Sequence, residues 1–374
     1  MDLVERELLE RAVPSALVKE DGKAVETAAD MKAHREYLKK FLEENEYGLL
    51  PPIPDEMSVD SVPGVHAIIS AKDFCAGKAI SEDLTFNFRI GKHRFSFPAR
   101  AAIPRGVSGK IPAFVHINFR SDEPDRYRPT EEIIDRGFAV FSFCYNDVTS
   151  DNDDFDDKCA KYLGRSRTKK NASGKIMMWA WAAMRVMDYI RTRPEIDADN
   201  VAVIGHSRLG KTALVTAAYD ERFKYAISND SGCSGAAISR GNLGESIEKI
   251  TYKFPFWFCP RYKEEVRPEK KNFDQNFLTA LIPPRHIIIG SAEEDLWAGP
   301  ECEFLGCASA NSVYRLYGMK GLIYGDAFPK AKTVLGEGDS CYQIRKGLHY
   351  LSREDWNVYM DFIEKKIKER SRGN

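Results

Sequence analysis

Residues 201–212, VAVIGHSRLGKT, combine an apolar run, a turn flanked by glycines and a helix start. Two chemistries compete for this segment. Gly205 to Thr212 satisfies the pattern G-x-x-x-x-G-K-[ST]. A P-loop of that kind wraps backbone N–H groups around phosphates, with Lys211 on the phosphates and Thr212 on magnesium. His206, Arg208 and Leu209 are bulky for such a loop, and the segment lies beyond the middle of the chain. No convincing apolar strand ending in a magnesium-binding Asp follows; residues 226–230, AISND, are a poor candidate. The second chemistry is nucleophilic. A Ser on a sharp strand-to-helix turn is presented at the top of a sheet, with small neighbours relieving the strain. Ser207 stands at that position. The usual G-x-S-x-G is incomplete, because Leu209 occupies its last place and the glycine follows at Gly210. A bland third reading makes Ser207 a cap for the helix beginning near Leu209.

An activated Ser needs a His to remove its proton and an acid to orient the His. When the Ser sits on such an elbow, the acid and then the His follow it in chain order. Residues 285–290, RHIIIG, read as a strand, and the loop after it, SAEEDLW, places Asp295 at the strand end. His349 is the only His downstream of that loop. The order Ser207, Asp295, His349 favours the elbow over the phosphate cradle.

These residues need a scaffold that brings strand ends together. Apolar runs at 112–119, 138–145, 201–204, 225–228, 286–290 and 313–317 read as strands. Between them, 175–191, 209–219 and 300–310 read as helices. Such alternation means a mostly parallel sheet covered on both faces, with ligands at the C-terminal strand ends. Upstream, 84–90 and 95–103 alternate and predict an antiparallel pair. Residues 28–46 read as a helix broken by Pro51, Pro52 and Pro54. The tail, 354–368, has an apolar stripe of Trp356, Tyr359, Met360, Ile363 and Ile367 at helical spacing. We read 1–374 as a single catalytic domain, with 1–60 an N-terminal helical extension packed on it.

Composition bounds the function. The 374 residues carry 55 Lys and Arg against 56 Asp and Glu, with 43 % apolar and 30 % charged residues. That excludes a disordered chain and argues against a dedicated nucleic-acid binder, which shows a basic excess. The longest apolar stretch, 176–184, is nine residues, whereas a membrane span needs about 20. The charged start, MDLVERELLERAVP, lacks the apolar core of a secretory signal. Eight cysteines without a CxxC pair read as buried reduced thiols. Six Asp in 147–157 invite a calcium reading but lack the EF-hand's glycine and terminal Glu, so a solvated loop is expected. His116 is read as structural.

The segment GHSRLGK at 205–211 resembles the serine motif of the glucuronoyl esterases, carbohydrate esterase family 15, in their bacterial branch. NDSGCSGAA at 229–237, RGNLGE at 240–245, FPFWFC at 254–259, EDLWA at 294–298 and the surroundings of His349 are similar as well. So are AAD at 28–30 and FLEEN at 41–45. The likeness covers about residues 12–365 and implies the α/β-hydrolase fold. It implies Ser207 as nucleophile, His349 as base, and Arg208 as oxyanion donor through its backbone and side chain. A backbone N–H after the 114–119 run is another oxyanion candidate. Lys211, one helical turn beyond Ser207, and Glu245 are implied sugar binders, and Trp297 a wall of the sugar pocket. Family members place the acid either just after the strand following the Ser, here Asp230, or at the later strand end, here Asp295. The shorter Asp at 230, where Glu is common, favours Asp295.

Fungal members flank the Ser and the His with a disulfide-forming Cys pair; His206 and Tyr350 stand there instead. Many bacterial relatives carry an acid where Tyr350 follows the His. The implied reaction is hydrolysis of (4-O-methyl)glucuronate esters linking glucuronoxylan to lignin alcohols, without metal or organic cofactor. Alternatives are an acetyl xylan esterase or general carboxylesterase and, from another class, a P-loop nucleotide-binding protein. A monomer is expected, with no nucleic-acid or membrane partner. Location is cytoplasmic on the chain as given, or secreted if a leader has been trimmed.

Overall fold

The computed structural model describes residues 1–64, 74–121, 125–163, 167–264 and 272–373. One sheet contains the strands β1 (Glu56–Pro63), β2 (Ala79–Ile90), β3 (His93–Pro104), β4 (Ile111–Asn118), β5 (Ala139–Cys144), β6 (Ile196–His206), β7 (Tyr225–Asn229), β8 (His286–Ala292), β9 (Thr333–Leu335) and β10 (Cys341–Arg345). Their order is β1-β2-β3-β5-β4-β6-β7-β8-β10-β9. β5, β4, β6, β7, β8 and β10 run parallel. β1, β2 and β3 add an antiparallel flank, as the alternation in 84–103 predicts, and β9 closes the other edge antiparallel.

The interior strands are buried on both faces, which is why they read as continuous apolar runs. In β6, Val201 and Val203 point to one core and Ala202 and Ile204 to the other. The first core is closed by helices α1 (Leu3–Glu10), α2 (Ala28–Leu42), α3 (Lys175–Ile190), α4 (Arg208–Tyr219) and α5 (Pro300–Ser309). The second is closed largely by the last helix, α7 (Arg353–Gly373). Its expected stripe is buried at Trp356, Tyr359, Met360 and Ile363, with Ile367 packed partly against them. Each such large apolar side chain contributes about 1.5–3 kcal/mol of burial.

The expected helical extension over 1–60 ends earlier: residues 56–60 lie in β1, an edge strand of the sheet itself, and the part before them bonds directly to the sheet's helices and loops. Arg35 donates to Pro283 O at 2.8 Å and Tyr47 Oη to Ser234 O at 3.1 Å. Thr27 and Asp30 cap α2 reciprocally. The expected 28–46 helix is α-helical only to Leu42 and continues as a π turn over Glu43–Tyr47.

Two strand readings need correction. Residues 313–317 are not a strand; they lie in and just beyond α6 (Asn311–Leu316). Val313 and Tyr314 are β-formers by type, but Tyr314 is placed by tertiary contact, its hydroxyl donating to Arg285 O at 2.6 Å. The strand that delivers His349 is β10. Its sequence, CYQIR, hides a fully buried strand because Gln343 and Arg345 spend their polarity on buried Asp355. All eight cysteines are buried free thiols.

Candidate active site

Ser207 joins β6 to α4 with φ 59° and ψ −128°. Its backbone N–H donates to Asn229 O on neighbouring β7 at 2.9 Å, pinning the turn. Its side chain makes no capping bond to α4, so the bland cap reading fails. A Cβ on Gly205 would lie 2.1 Å from Leu209 O, and one on Gly210 2.9 Å from Ser228 Oγ. The glycines therefore serve a tight strand–helix crossing. Leu209 is fully buried in the core, so the second glycine falls one place later than in G-x-S-x-G. A phosphate cradle is not formed. The helix starts at Arg208, immediately after Ser207, and Thr212 Oγ1 donates to Arg208 O at 2.9 Å.

Consecutive parallel strands β6, β7, β8 and β10 deliver Ser207, Asp230, Asp295 and His349 to one end of the sheet. His349 Nδ1 lies 2.6 Å from Asp295 Oδ2. The ring of His206, the residue before Ser207, is centred 4.4 Å from that of His349, which sets His349 beside the elbow. His206 is itself buried, with Nδ1 2.7 Å from Asn229 Oδ1. Burial and the neighbouring His349 push its pKa down to about 3, so it stays neutral and adds no charge beside His349.

Asp230 has φ 44° and is buried. Its Oδ2 accepts from Arg345 Nη2 at 3.4 Å, while Oδ1 has no partner among the described residues. Burial, then the carboxyls of Glu303 and Asp295, raise its pKa against the pull of Arg345. Glu303, on α5, accepts from Gly232 N–H at 2.9 Å and Ser291 Oγ at 2.6 Å, and burial raises it to about 7. Ligand atoms of Asp230, Asp295 and His349 lie within 4.8 Å of one another. That spacing could hold a cation, but the Arg345 guanidinium already supplies positive charge there.

The remaining residues are more tied down than their types suggest. Lys211 is buried, and its ammonium donates to Ser231 O and Cys233 O at 2.5 Å each and to Glu245 Oε2 at 2.7 Å. Those are all three of its donors, so Lys211 orders Glu245 and its loop rather than standing free. Glu245 N–H donates to Trp297 O at 2.7 Å, which couples that loop to the one after β8. Trp297 is 46 % exposed, with Lys249 Nζ 5.3 Å from its ring centre; it is not a core residue. Arg208 ion-pairs with Asp151.

A family model described as the glucuronyl esterase of fungi matches residues 87–318. The chain belongs to the glucuronoyl esterase family. Carbohydrate esterase MZ0003, from an unknown prokaryotic organism, is 30 % identical over 395 residues, covering 94 % of this chain and 89 % of that protein. The 4-O-methyl-glucuronoyl methylesterase of Neurospora crassa is 24 % identical over 82 % of this chain and 73 % of its own. The solved glucuronoyl esterase of Solibacter usitatus superimposes with a TM-score of 0.83 at 28 % identity, covering 94 % of this chain and 97 % of its own. The α/β-hydrolase fold is thereby established for this esterase.

Sequence reasoning missed several groups around the site. The Asp-rich tract is not simply solvated: Asp151 holds Arg208, and Asp157 accepts from Thr149 Oγ1 at 2.7 Å and Ser150 N–H at 2.9 Å. Arg345 and Glu303 reach Asp230 and its loop from β10 and α5, far along the chain. Neither carries a local signal: Arg345 shares its strand with polar Gln343, and Glu303 its helix with Glu301. His116, as expected, is buried, with Ser142 Oγ 3.4 Å from its Nδ1. No helix among the described residues is long and apolar enough to cross a membrane.

Proposed function

We propose that this carboxylic ester hydrolase cleaves glucuronate esters through an acyl-enzyme on Ser207. The observation that carries the reading is the 2.6 Å contact between His349 Nδ1 and Asp295, beside the positive-φ Ser207. With Nδ1 committed to a carboxylate, Nε2 is the ring nitrogen left to take the serine proton. Ser207 Oγ attacks the C6 carbonyl as Nε2 removes its proton. His349 returns that proton to the departing alcohol, and water, activated the same way, releases the uronic acid. Charge on the carbonyl oxygen meets the Arg208 backbone N–H at the head of α4, which has no intrahelical acceptor, and the Arg208 guanidinium. Each well-placed donor is worth about 3 kcal/mol in the transition state.

For the acid we assign Asp295 and keep Asp230 as its neighbouring reserve. For the sugar we assign Glu245, ordered by Lys211, and exposed Trp297, whose ring offers an amphipathic face. The natural substrates proposed are (4-O-methyl)glucuronate esters joining glucuronoxylan to lignin alcohols; the Neurospora relative is named for the methyl ester. We also read 1–374 as one catalytic unit acting as a monomer.

The test is hydrolysis of benzyl glucuronate beside 4-nitrophenyl acetate, wild type against Ser207→Ala. Strong preference for the glucuronate, abolished in the variant with folding intact, is expected. Preference for acetate would move the activity to a general or acetyl xylan esterase. Turnover retained by Ser207→Ala would refute the nucleophile.

A further inference from the structure

Asp151 is only partly exposed, with 13 % of its side chain accessible, and its carboxylate collects three donors. Oδ2 accepts from Arg208 Nη1 and from Tyr145 Oη at 3.1 Å; Oδ1 accepts from Trp257 Nε1 at 2.6 Å. Its backbone N–H donates to Asn146 Oδ1 at 3.0 Å, so the tract cannot swing freely. The same Trp257 that bonds Asp151 places its ring 4.8 Å from the guanidinium carbon of Arg208. Phe119 and Phe254 flank that carbon at 5.5 Å each, and Phe254 stacks on Trp257 at 4.0 Å. A guanidinium held by a carboxylate on one edge and by aromatic faces has little rotational freedom. Yet Arg208 Nε is buried with no partner among the described residues. A buried N–H left unpaired costs about 1–3 kcal/mol, and a bound acceptor would relieve that cost.

We infer that Asp151 is a positioning residue of the oxyanion site. It fixes the Arg208 guanidinium against Trp257, so that donors not used by the protein are aligned in advance for the oxygen on which charge develops. Preorganisation of this kind acts on the transition state and leaves ground-state binding nearly untouched. The inference rests on the reading of Arg208 as an oxyanion donor given above.

The experiment measures kcat and KM on benzyl glucuronate for Asp151→Ala, Trp257→Phe and Arg208→Ala, and for each of the first two combined with Arg208→Ala, with thermal melts for folding. Asp151→Ala is expected to lower kcat by about 10–100-fold, the scale of a small misplacement of a catalytic donor, with KM little changed. In the Arg208→Ala background the same substitution should have almost no further effect on kcat. Trp257→Phe keeps an aromatic face and removes one donor to Asp151, so it should lose a few-fold in kcat, again only when Arg208 is present. If Asp151→Ala does not fold, the Trp257→Phe pair of measurements decides. A loss that persists in full without Arg208, or one carried by KM, overturns the inference. If Arg208→Ala keeps wild-type kcat, the oxyanion reading of Arg208 itself fails; if only Arg208→Ala is impaired, Asp151 alone is misassigned.

Discussion

Replacing Asp295 by Asn keeps the shape of the side chain and removes the charge 2.6 Å from His349 Nδ1. In a triad with a single acid, that change costs about 10⁴ in rate, about 5.5 kcal/mol. Here a second carboxyl, Asp230, lies within 4.8 Å of both groups. Two unit charges at that distance interact by about 3.5 kcal/mol at an effective dielectric of about 20. In the wild type Asp230 is held toward its neutral form by burial, Glu303 and Asp295. Asp295→Asn removes one of those causes, so Asp230 ionises more readily and recovers part of the lost stabilisation of the imidazolium. If about 3 of the 5.5 kcal/mol are recovered, about 2.5 remain, a loss of about 10². The expected series on kcat/KM is therefore about 10²-fold for Asp295→Asn, within about 3-fold for Asp230→Asn, and about 10⁴-fold for the double variant. Benzyl glucuronate hydrolysis with thermal melts as controls measures it. A larger loss for Asp230→Asn than for Asp295→Asn would exchange the two roles. A double variant no worse than Asp295→Asn would refute the reserve role of Asp230.

Glu303 holds its proton up to about pH 7 in the folded chain, against 4.5 for an ordinary Glu. Between those values the unfolded chain releases a proton that the folded chain keeps, so stability falls as pH rises through that window. Melting temperature should drop between pH 5 and 7.5 more steeply in wild type than in Glu303→Gln; parallel slopes would contradict it. Lys211→Met leaves the buried Glu245 carboxylate without its ammonium and should cost about 3–5 kcal/mol in urea unfolding. Adding Glu245→Gln should recover much of that stability, and no recovery would mean that packing, not charge, was lost. Gly205→Ala puts a methyl 2.1 Å from Leu209 O, so both melting temperature and kcat should fall; wild-type values for both would show that the turn relaxes freely.

The features legible in the residues alone are local and ordered along the chain. The apolar runs of β4 to β8 follow from burial on both faces, which leaves an unbroken apolar run, and the stripe of α7 from burial of one face, which leaves a period of about 3.6. The elbow at Ser207 was legible because a strained turn demands small neighbours at Gly205 and Gly210. Asp295 and His349 were legible because chain order and strand ends confined the search. Which charges meet depends on packing between segments far apart in the chain. β10 escaped notice because Gln343 and Arg345 are polar until buried Asp355 is set against them. Asp151 was lost among the acidic residues of its tract until Arg208 and Trp257, far along the chain, closed on it. Lys211, implied as a sugar binder, spends its donors on Ser231, Cys233 and Glu245, partners that its own segment does not reveal. A side chain's type states which bonds it can make; its partner is chosen by packing across strands distant in sequence, and no local pattern encodes that choice.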